Sequence, residues 1–357
     1  MKPRFTRDGS DALEQQLADI CHDVAGRLRE LLPAGVLLGI ALGGGYGRGE
    51  GGVLRTGGMD HPYNDVEFFV LVKGPLWLRQ RDWGQALAET AHRLTEDHGI
   101  EIEFKLLTPG KLRRSGPAMF YYDLMMGHRW AMGDEALLAG CAHHRDASTI
   151  PLHEATRLLM NRSSGLLFAW ERLCRPGFTA DDADFTARNI AKAQLALGDV
   201  WLAAHGQYHW SCLERHRRLG GLPAPWDLIG DHAAGVEFKL HPRRSTAPRG
   251  QLQATHKELT EAARKLFLWL ESRRLGTAFA TTADYAASPL NKCPEVSLLR
   301  RWLINARESG AEALRQRPRY PREQLLHGLC GLLWDQSQPL FPAAQLRSYE
   351  QTWHRFN

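Results

Sequence analysis

Nine glycines are concentrated in residues 43–63, directly after a short apolar run, and this segment constrains the fold more than any other feature of the sequence. Glycine loses more conformational freedom on folding than any other residue, so helices and strands rarely contain it at such density. The segment is therefore predicted to be loop or turn for much of its length and to contribute no core element. The preceding run, residues 36–42, is continuous and apolar and lies between Gly35 and Gly43, as is typical of a buried strand.

On either side of this segment, the spacing of apolar residues alternates between that of helices and that of strands. Apolar side chains recur at helical spacing from Leu13 to Leu31, and Pro33 ends that run. Beyond the glycines the sequence predicts, in order, a strand, an amphipathic helix and a further strand, over residues 65–72, 82–98 and 100–107. Interleaved strands and helices predict an α/β (α+β) domain over residues 1–150.

From residue 152 onward the hydrophobic pattern is helical, and no convincing strand is found. Amphipathic helices are predicted over residues 155–173, 185–205, 259–275, 296–306 and 324–333. Four prolines and several glycines in residues 219–253 predict irregular connections there. The α/β domain is therefore predicted to be followed by an all-α helical domain, residues 151–357.

Composition and charge narrow the classes of protein to which the chain can belong. The N-terminus has no apolar core of a signal peptide, and the most apolar run, residues 34–42, is too short to span a bilayer, so a cytoplasmic protein without a membrane partner is predicted. Six cysteines are scattered without any pair at metal-ligand or redox spacing, which indicates free thiols. The formal net charge of +5 favours anionic partners but does not choose among them.

Acidic residues lie where neighbouring strands bring side chains to one face. Asp65 and Glu67 are two residues apart, and the alternation of a strand points both to the same side. Carboxylate oxygens are the ligands that hard divalent cations such as Mg²⁺ prefer. On the following strand Glu103 is the expected third acid, but Glu101 shares its face, and either could instead pair with Lys105. The sequence thus predicts a metal site at the first two acids and leaves the third open.

These motifs resemble those of the DNA polymerase beta nucleotidyltransferase superfamily. The run Gly44-Gly45-Tyr46-Gly47-Arg48-Gly49-Glu50 resembles the family's small-residue loop, and Asn64-Asp65-Val66-Glu67 resembles its pair of acids separated by one apolar residue. The segment around Glu103 is similar to the family's third carboxylate strand. The resemblance implies a nucleotidyltransferase fold with a short mixed sheet. It also implies two Mg²⁺ ions and the triphosphate of ATP or another nucleotide as ligands. It assigns the metal and the catalysis to Asp65, Glu67 and Glu103, and the nucleotide to Gly44, Gly45 and Arg48.

The resemblance extends more loosely to the helical half, which is similar to that of aminoglycoside nucleotidyltransferases. Related small-molecule enzymes use a basic residue of the second domain to contact the nucleotide. Arg188 and Lys192 are four residues apart on a predicted helix and so share one face. The resemblance implies that this face meets the triphosphate, which makes residues 151–357 a substrate- or nucleotide-binding domain.

The resemblance also implies an activity, which is transfer of a nucleoside monophosphate, AMP from ATP in particular, to a hydroxyl group with release of pyrophosphate. A small molecule is the favoured acceptor, ahead of a protein side chain or RNA. The second acid is Glu67 where the family commonly has Asp, and Gly45 stands where Ser is common. These departures motivate one alternative, a catalytically degenerate nucleotide-binding or antitoxin-like partner protein. Basic clusters in the helical half motivate another, an RNA-end nucleotidyltransferase.

Overall fold

The computed structural model of the chain describes residues 4–63, 65–224, 226–309, 319–335 and 343–356, and the described chain divides into two compact units. The first unit contains the residues up to Pro151 together with His205–Pro223 and Val236–Arg243. The second contains Leu152–Ala204, Ala224–Gly235 and the residues from Arg244 onward. The sequence assigns residues 205–223 and 236–243 to the helical domain, whereas the structure groups both with the first unit. The buried carboxylate of Glu50, in the glycine-rich segment, accepts hydrogen bonds from residues 211 and 212 in the first of these two segments.

The first unit is built on a short sheet with helices on both faces. Its strands are β1 (Leu37–Leu42), β2 (Val53–Thr56), β3 (Met59–Pro62), β4 (Val66–Val72), β5 (Ile102–Leu107) and β6 (Arg129–Met132). Its helices up to residue 151 are α1 (Asp11–Leu31), α2 (Gly44–Gly47), α3 (Leu76–His98), α4 (Pro109–Arg114) and α5 (Met119–Met126).

The sheet has four strands in the order β5-β4-β1-β6. The β4 and β5 strands run parallel, joined by α3, while β1 pairs antiparallel with both β4 and β6. A separate hairpin is formed by β2 and β3. The predicted mixed α/β architecture with a short mixed sheet is therefore confirmed.

Alternation along β4 distributes its side chains between two cores. Phe68 and Val70 are completely buried in the core that contains the apolar side chains of α1. Phe69 and Leu71 lie in the second core, to which α4 and α5 contribute. Glu67 has the same parity as the second pair, so the alternation assigns it to that face, at the start of the strand.

The glycine-rich segment is more ordered than its composition predicts. It contains the short helix α2 and the β2–β3 hairpin, whose turn residues Gly57 and Gly58 have φ angles of +63° and +78°. Two successive positive φ angles suit the two-residue turn that matches the twist of hairpin strands. Tyr46 and Val53 are buried in the first core, and the Tyr46 hydroxyl donates to the Gly52 carbonyl at 2.9 Å. The prediction that this segment contributes no core element was wrong.

The remaining helices follow residue 151. They are α6 (Leu152–Cys174), α7 (Ala180–Ala204), α8 (Cys212–Leu219), α9 (Leu228–Leu240), α10 (Arg249–Leu275), α11 (Thr282–Ala287), α12 (Leu298–Ser309), α13 (Pro321–Leu329) and α14 (Ala343–Phe356). A π-helical turn, Cys330–Trp334, continues α13. In the second unit α6 packs against α7 and α10. Within the described residues beyond 151 there is no strand, which confirms the predicted helical region.

Residues 219–253, predicted to be irregular, contain α9 and the first turn of α10. Pro248 is the N-cap of α10, so a proline that was taken to interrupt structure instead begins a helix, where its missing N–H is harmless. Among the described helices, none is both long enough and apolar enough to cross a membrane.

Candidate metal centre

Three carboxylates converge at the edge of the first unit's sheet. Asp65 immediately precedes β4, Glu67 is its second residue, and Glu103 lies directly opposite Glu67 on β5. One oxygen from each of the three lies within 4.8 Å of the others. Two oxygens on opposite sides of a single Mg²⁺ are about 4.2 Å apart, so small side-chain rotations would allow all three to bind one ion. Both the geometry and the oxygen donor set therefore fit a hard divalent cation.

The structure distinguishes the two candidates for the third acid. The parallel register places Glu103 beside Glu67, and in the described part of the chain Glu103 completes the only such group of potential metal ligands. Glu101 precedes β5, and its side chain is exposed. Its backbone carbonyl accepts a hydrogen bond from Val66 at 2.8 Å, which helps to fix the register that brings the other two acids together.

Mutual repulsion and burial mark the group as an electrostatically costly arrangement. Burial, and then the negative charges of Glu67 and Glu103, raise the pKa of Asp65 above its ordinary value. The ammonium group of Lys105 contacts Glu67 and lies 3.3 Å from Glu103. Burial acts to lower the pKa of Lys105, but the hydrogen bond and charge of Glu67 outweigh it and raise that pKa. When all are ionised, one ammonium and three carboxylates leave a net charge of −2, which one divalent cation would neutralise.

The glycine turn lies directly against this group. Gly43 donates its N–H to the Glu67 carbonyl at 2.8 Å. Gly44 has a φ of +60°, which favours glycine, and a Cβ at this position would lie 2.9 Å from Glu67 Oε2. A Cβ on Gly45 would lie 3.1 Å from the Glu50 carbonyl oxygen. The backbone beside the carboxylates is thus kept free of side chains.

Arg48, a predicted nucleotide ligand, forms an ion pair inside the first unit. Its guanidinium lies 3.2 Å from Asp123 Oδ2, and its side chain is only 12% exposed. The Tyr208 hydroxyl donates to the same Asp123 oxygen at 3.2 Å. The charge of Arg48 is therefore balanced by Asp123 of the neighbouring helix α5, and the Tyr208 hydroxyl stabilises that carboxylate.

Glu50, the last residue of the same motif, is a structural residue that the sequence analysis did not identify. It is 3% exposed and accepts hydrogen bonds from the Ser211 hydroxyl and from the Cys212 N–H, the latter at 2.8 Å. Burial acts to raise the pKa of Glu50, but these hydrogen bonds outweigh it and lower that pKa. Since Ser211 is the N-cap of α8, Glu50 fixes the start of that helix to the glycine segment. This contact and that of Tyr208 with Asp123 hold residues 205–223 to the rest of the first unit.

The two basic residues predicted from the helical half lie on α7 of the second unit. Arg188 Nε is 3.3 Å from Asp184 Oδ2, one turn earlier on the same helix, and Asp184 also accepts the Ser245 N–H at 3.0 Å. Lys192 is exposed and lines a cavity of the second unit. Their shared helix face was correctly predicted, but only Lys192 lies on the wall of that cavity.

Comparison of the chain with models of protein families, with curated proteins and with solved structures gave no match. The likeness to nucleotidyltransferases therefore consists of the sequence motifs alone. Asn64, the first residue of the acid motif, lies outside the described residues.

Proposed function

We propose that this protein is a metal-dependent nucleotidyltransferase that transfers a nucleoside monophosphate, AMP from ATP first among the candidates, to a hydroxyl of a small molecule. The observation that carries the proposal is the convergence of Asp65, Glu67 and Glu103 beside the side-chain-free backbone at Gly44. Phosphoryl transfer needs a site for divalent cations and a site for phosphate oxygens. The clustered carboxylates would provide the first, and the open backbone turn beside them would provide the second.

The transfer forms a bond between the acceptor oxygen and the α-phosphorus and breaks the bond from that phosphorus to pyrophosphate. Bound Mg²⁺ would neutralise negative charge on the phosphoryl oxygens. Asp65 and Glu67 would hold the metal and thereby orient the triphosphate. Glu103, whose side chain is 40% exposed, would accept the proton of the acceptor hydroxyl as the new bond forms. The backbone at Gly44 and Gly45 would let the phosphates approach closely.

The contacts of Lys105 favour a second candidate function, a non-catalytic partner or nucleotide-binding protein. In that protein the ammonium group would be the permanent counter-ion of Glu67 and Glu103, and no divalent cation would be needed. The Lys105 side chain is 40% exposed, so it is also free to turn outward when a metal binds. The two functions therefore predict different responses to metal and to removal of Lys105.

The proposed activity is tested by incubating the purified chain with each of four α-labelled nucleoside triphosphates, Mg²⁺ and a pool of hydroxyl-bearing metabolites. The expected result is a labelled product and an equal amount of pyrophosphate, both abolished by EDTA. In parallel, calorimetry with a non-hydrolysable ATP analogue should show binding that requires Mg²⁺. Absence of pyrophosphate with all four nucleotides, together with absence of Mg²⁺-dependent nucleotide binding, would overturn the proposal.

Replacing Lys105 by methionine is expected to tighten metal binding. The substitution keeps most of the side-chain volume but removes a positive charge that competes with Mg²⁺ for Glu67 and Glu103. Repulsion between neighbouring charges near a protein surface is worth ~1 kcal/mol or more, so the Mg²⁺ concentration for half-maximal nucleotide binding should fall about fivefold or more. Lys111→Met, at an exposed position of α4, is the control and should leave it unchanged. A Lys105→Met protein that is destabilised and gains no affinity for Mg²⁺ would favour the non-catalytic function.

A further inference from the structure

The outward face of α12 is apolar, whereas a helix at the surface of a protein normally turns polar side chains to the solvent. Four large apolar side chains of this helix are between 41% and 71% exposed, and they are Leu298, Leu299, Trp302 and Leu303. They recur at intervals of three and four residues, so they lie along one side of the helix and form a continuous surface, the α12 apolar face. Contiguous exposed apolar surface marks a site of interaction with another protein or with a membrane.

The opposite face of α12 is fixed to the second unit. Ile304 packs against a small buried core of that unit. Arg301 is 8% exposed, and its Nε donates to the Val296 carbonyl at 2.8 Å. The side-chain amide of Asn305 donates to the Arg319 carbonyl, also at 2.8 Å. These contacts set the rotation of the helix about its axis, and they hold the α12 apolar face outward.

Two arginines border the α12 apolar face. Arg300 and Arg307 are exposed, and helical geometry places both of them beside Leu303. Within the residues that the structure describes, neither guanidinium pairs with a carboxylate. A long arginine side chain can lie along an apolar surface while its charged end stays in water or meets an anion. The border of the apolar face therefore carries positive charge that the described part of the chain does not neutralise.

The excess positive charge of the whole chain is concentrated in the sequence around this helix. Residues 298–322 contain seven arginines and two glutamates and no other charged residue, which gives a formal net charge of +5. The complete chain also has a formal net charge of +5, from 45 basic and 40 acidic residues. The rest of the sequence is therefore balanced, with 38 residues of each sign. This distribution favours an anionic partner beside α12 over one elsewhere on the protein.

The combination of leucines, tryptophan and arginines distinguishes the possible partners. A symmetric contact with a second copy of the chain would bring two arginine borders together, and like charges at an interface repel. RNA would use the arginines, but leucine side chains offer it neither a charge nor a ring that stacks on bases. A protein helix generally docks in a groove between elements, whereas this face belongs to one helix. An anionic lipid surface uses both features, because apolar side chains enter the boundary of headgroups and acyl chains while arginines meet the phosphates.

We propose that α12 binds the surface of an anionic membrane, with the α12 apolar face in the lipid interface and Arg300 and Arg307 against the lipid phosphates. Tryptophan suits this position, because its ring is apolar and its indole N–H can bond at the headgroup level. The prediction of no membrane partner was based on the lack of an apolar run that could span a bilayer, and surface binding needs only one helix face. The site belongs to the second unit, so it does not depend on the proposed transferase activity.

The test measures sedimentation of the full chain with vesicles of phosphatidylcholine alone and with vesicles of equal parts phosphatidylcholine and phosphatidylglycerol. Binding to the anionic vesicles is expected to be at least tenfold tighter and to weaken with added salt, since each arginine near an anionic surface contributes roughly fivefold. Arg300→Gln combined with Arg307→Gln should therefore weaken it at least tenfold. Trp302→Gln should weaken it at least fivefold by removing apolar surface. The matched control is Trp77→Gln, the same change at a tryptophan that is 69% exposed on α3, and it should change binding less than twofold.

Several outcomes would overturn the proposal. The first two are no preference for anionic vesicles and equal effects of Trp302→Gln and Trp77→Gln. A dimer that Trp302→Gln dissociates, in a protein that binds no vesicles, would assign the face to a second copy instead. Salt-sensitive binding to polyuridylate but not to vesicles would assign the arginines to RNA. Vesicle binding should persist when Asp65→Asn and Glu67→Gln are introduced into the first unit, and unchanged circular dichroism of each variant establishes that a loss of binding is not a loss of fold.

Discussion

Asp65→Asn combined with Glu67→Gln is expected to reduce nucleotidyl transfer about a thousandfold or more without unfolding the protein. The two amides have nearly the same volume as the carboxylates, but they carry no charge to hold Mg²⁺. Metal stabilisation of the transition state is worth several kcal/mol, and 4 kcal/mol corresponds to roughly a thousandfold in rate. Removing the two charges also relieves repulsion within the cluster, because the pKa of Asp65 is raised by burial and by its acidic neighbours.

The measurement is the rate of pyrophosphate release at saturating Mg²⁺ and nucleotide. Glu101→Gln is the matched control, because that acid immediately precedes β5, is exposed and lies outside the converging group. It should retain at least half of the activity. Normal turnover by the double variant would contradict the metal-centre hypothesis, and an equal loss in Glu101→Gln would show that the third acid is misassigned.

The largest effect on stability is expected from Glu271→Gln in α10. Glu271 is completely buried and accepts hydrogen bonds from the Thr156 hydroxyl at 2.7 Å and the Tyr285 hydroxyl at 2.9 Å. Arg274, one turn later, binds both of its oxygens at 2.8 and 2.6 Å and is itself 6% exposed. Removing the negative charge leaves the buried guanidinium with only the more distant carboxylate of Glu295, 3.8 Å away, as an ionic partner, which costs about 3 kcal/mol of unfolding free energy.

The same helix offers a matched control for this prediction. Glu261 and Arg264 have the same spacing and the same bidentate geometry, at 2.8 and 2.7 Å, but their side chains are 45% and 29% exposed. Glu261→Gln should therefore cost less than ~1 kcal/mol. Urea titrations followed by far-UV circular dichroism give both free energies. Similar losses in the two variants would mean that burial does not set the strength of these pairs.

Periodicity made much of the first unit predictable. The apolar run that becomes β1 and the alternation that becomes β4 and β5 were read directly from the sequence, because burial of one or both faces demands those patterns. Alternation also placed Asp65 and Glu67 on one face. The register that sets Glu103 rather than Glu101 opposite Glu67 was not predictable, since shifting a strand by two residues leaves every side chain on the same face.

Other elements gave weak or misleading signals. The pair Gly57-Gly58 is a recognised hairpin signal, but seven further glycines in the same segment obscured it. β6 is a four-residue strand whose residues are all half-buried, so it shows no alternation of buried and exposed positions, and its identity depends on pairing with β1. The N-terminal half of α10 carries a weak apolar stripe, and its helical state is stabilised by packing against α6 and α7.

By itself the sequence determined which residues face together along each strand and helix, because those relations arise between neighbours two to four positions apart. Tertiary structure alone decided which charges from distant parts of the sequence are paired. Arg48 forms an ion pair with Asp123, 75 residues away, and Glu50 accepts a hydrogen bond from Ser211, 161 residues away. Both residues of the glycine motif therefore bind distant segments of the first unit. Tertiary structure also placed Lys105 between Glu67 and Glu103. Such contacts depend on how distant segments pack. The electrostatic energy of each contact depends on how deeply its side chains are buried, which no local sequence pattern predicts.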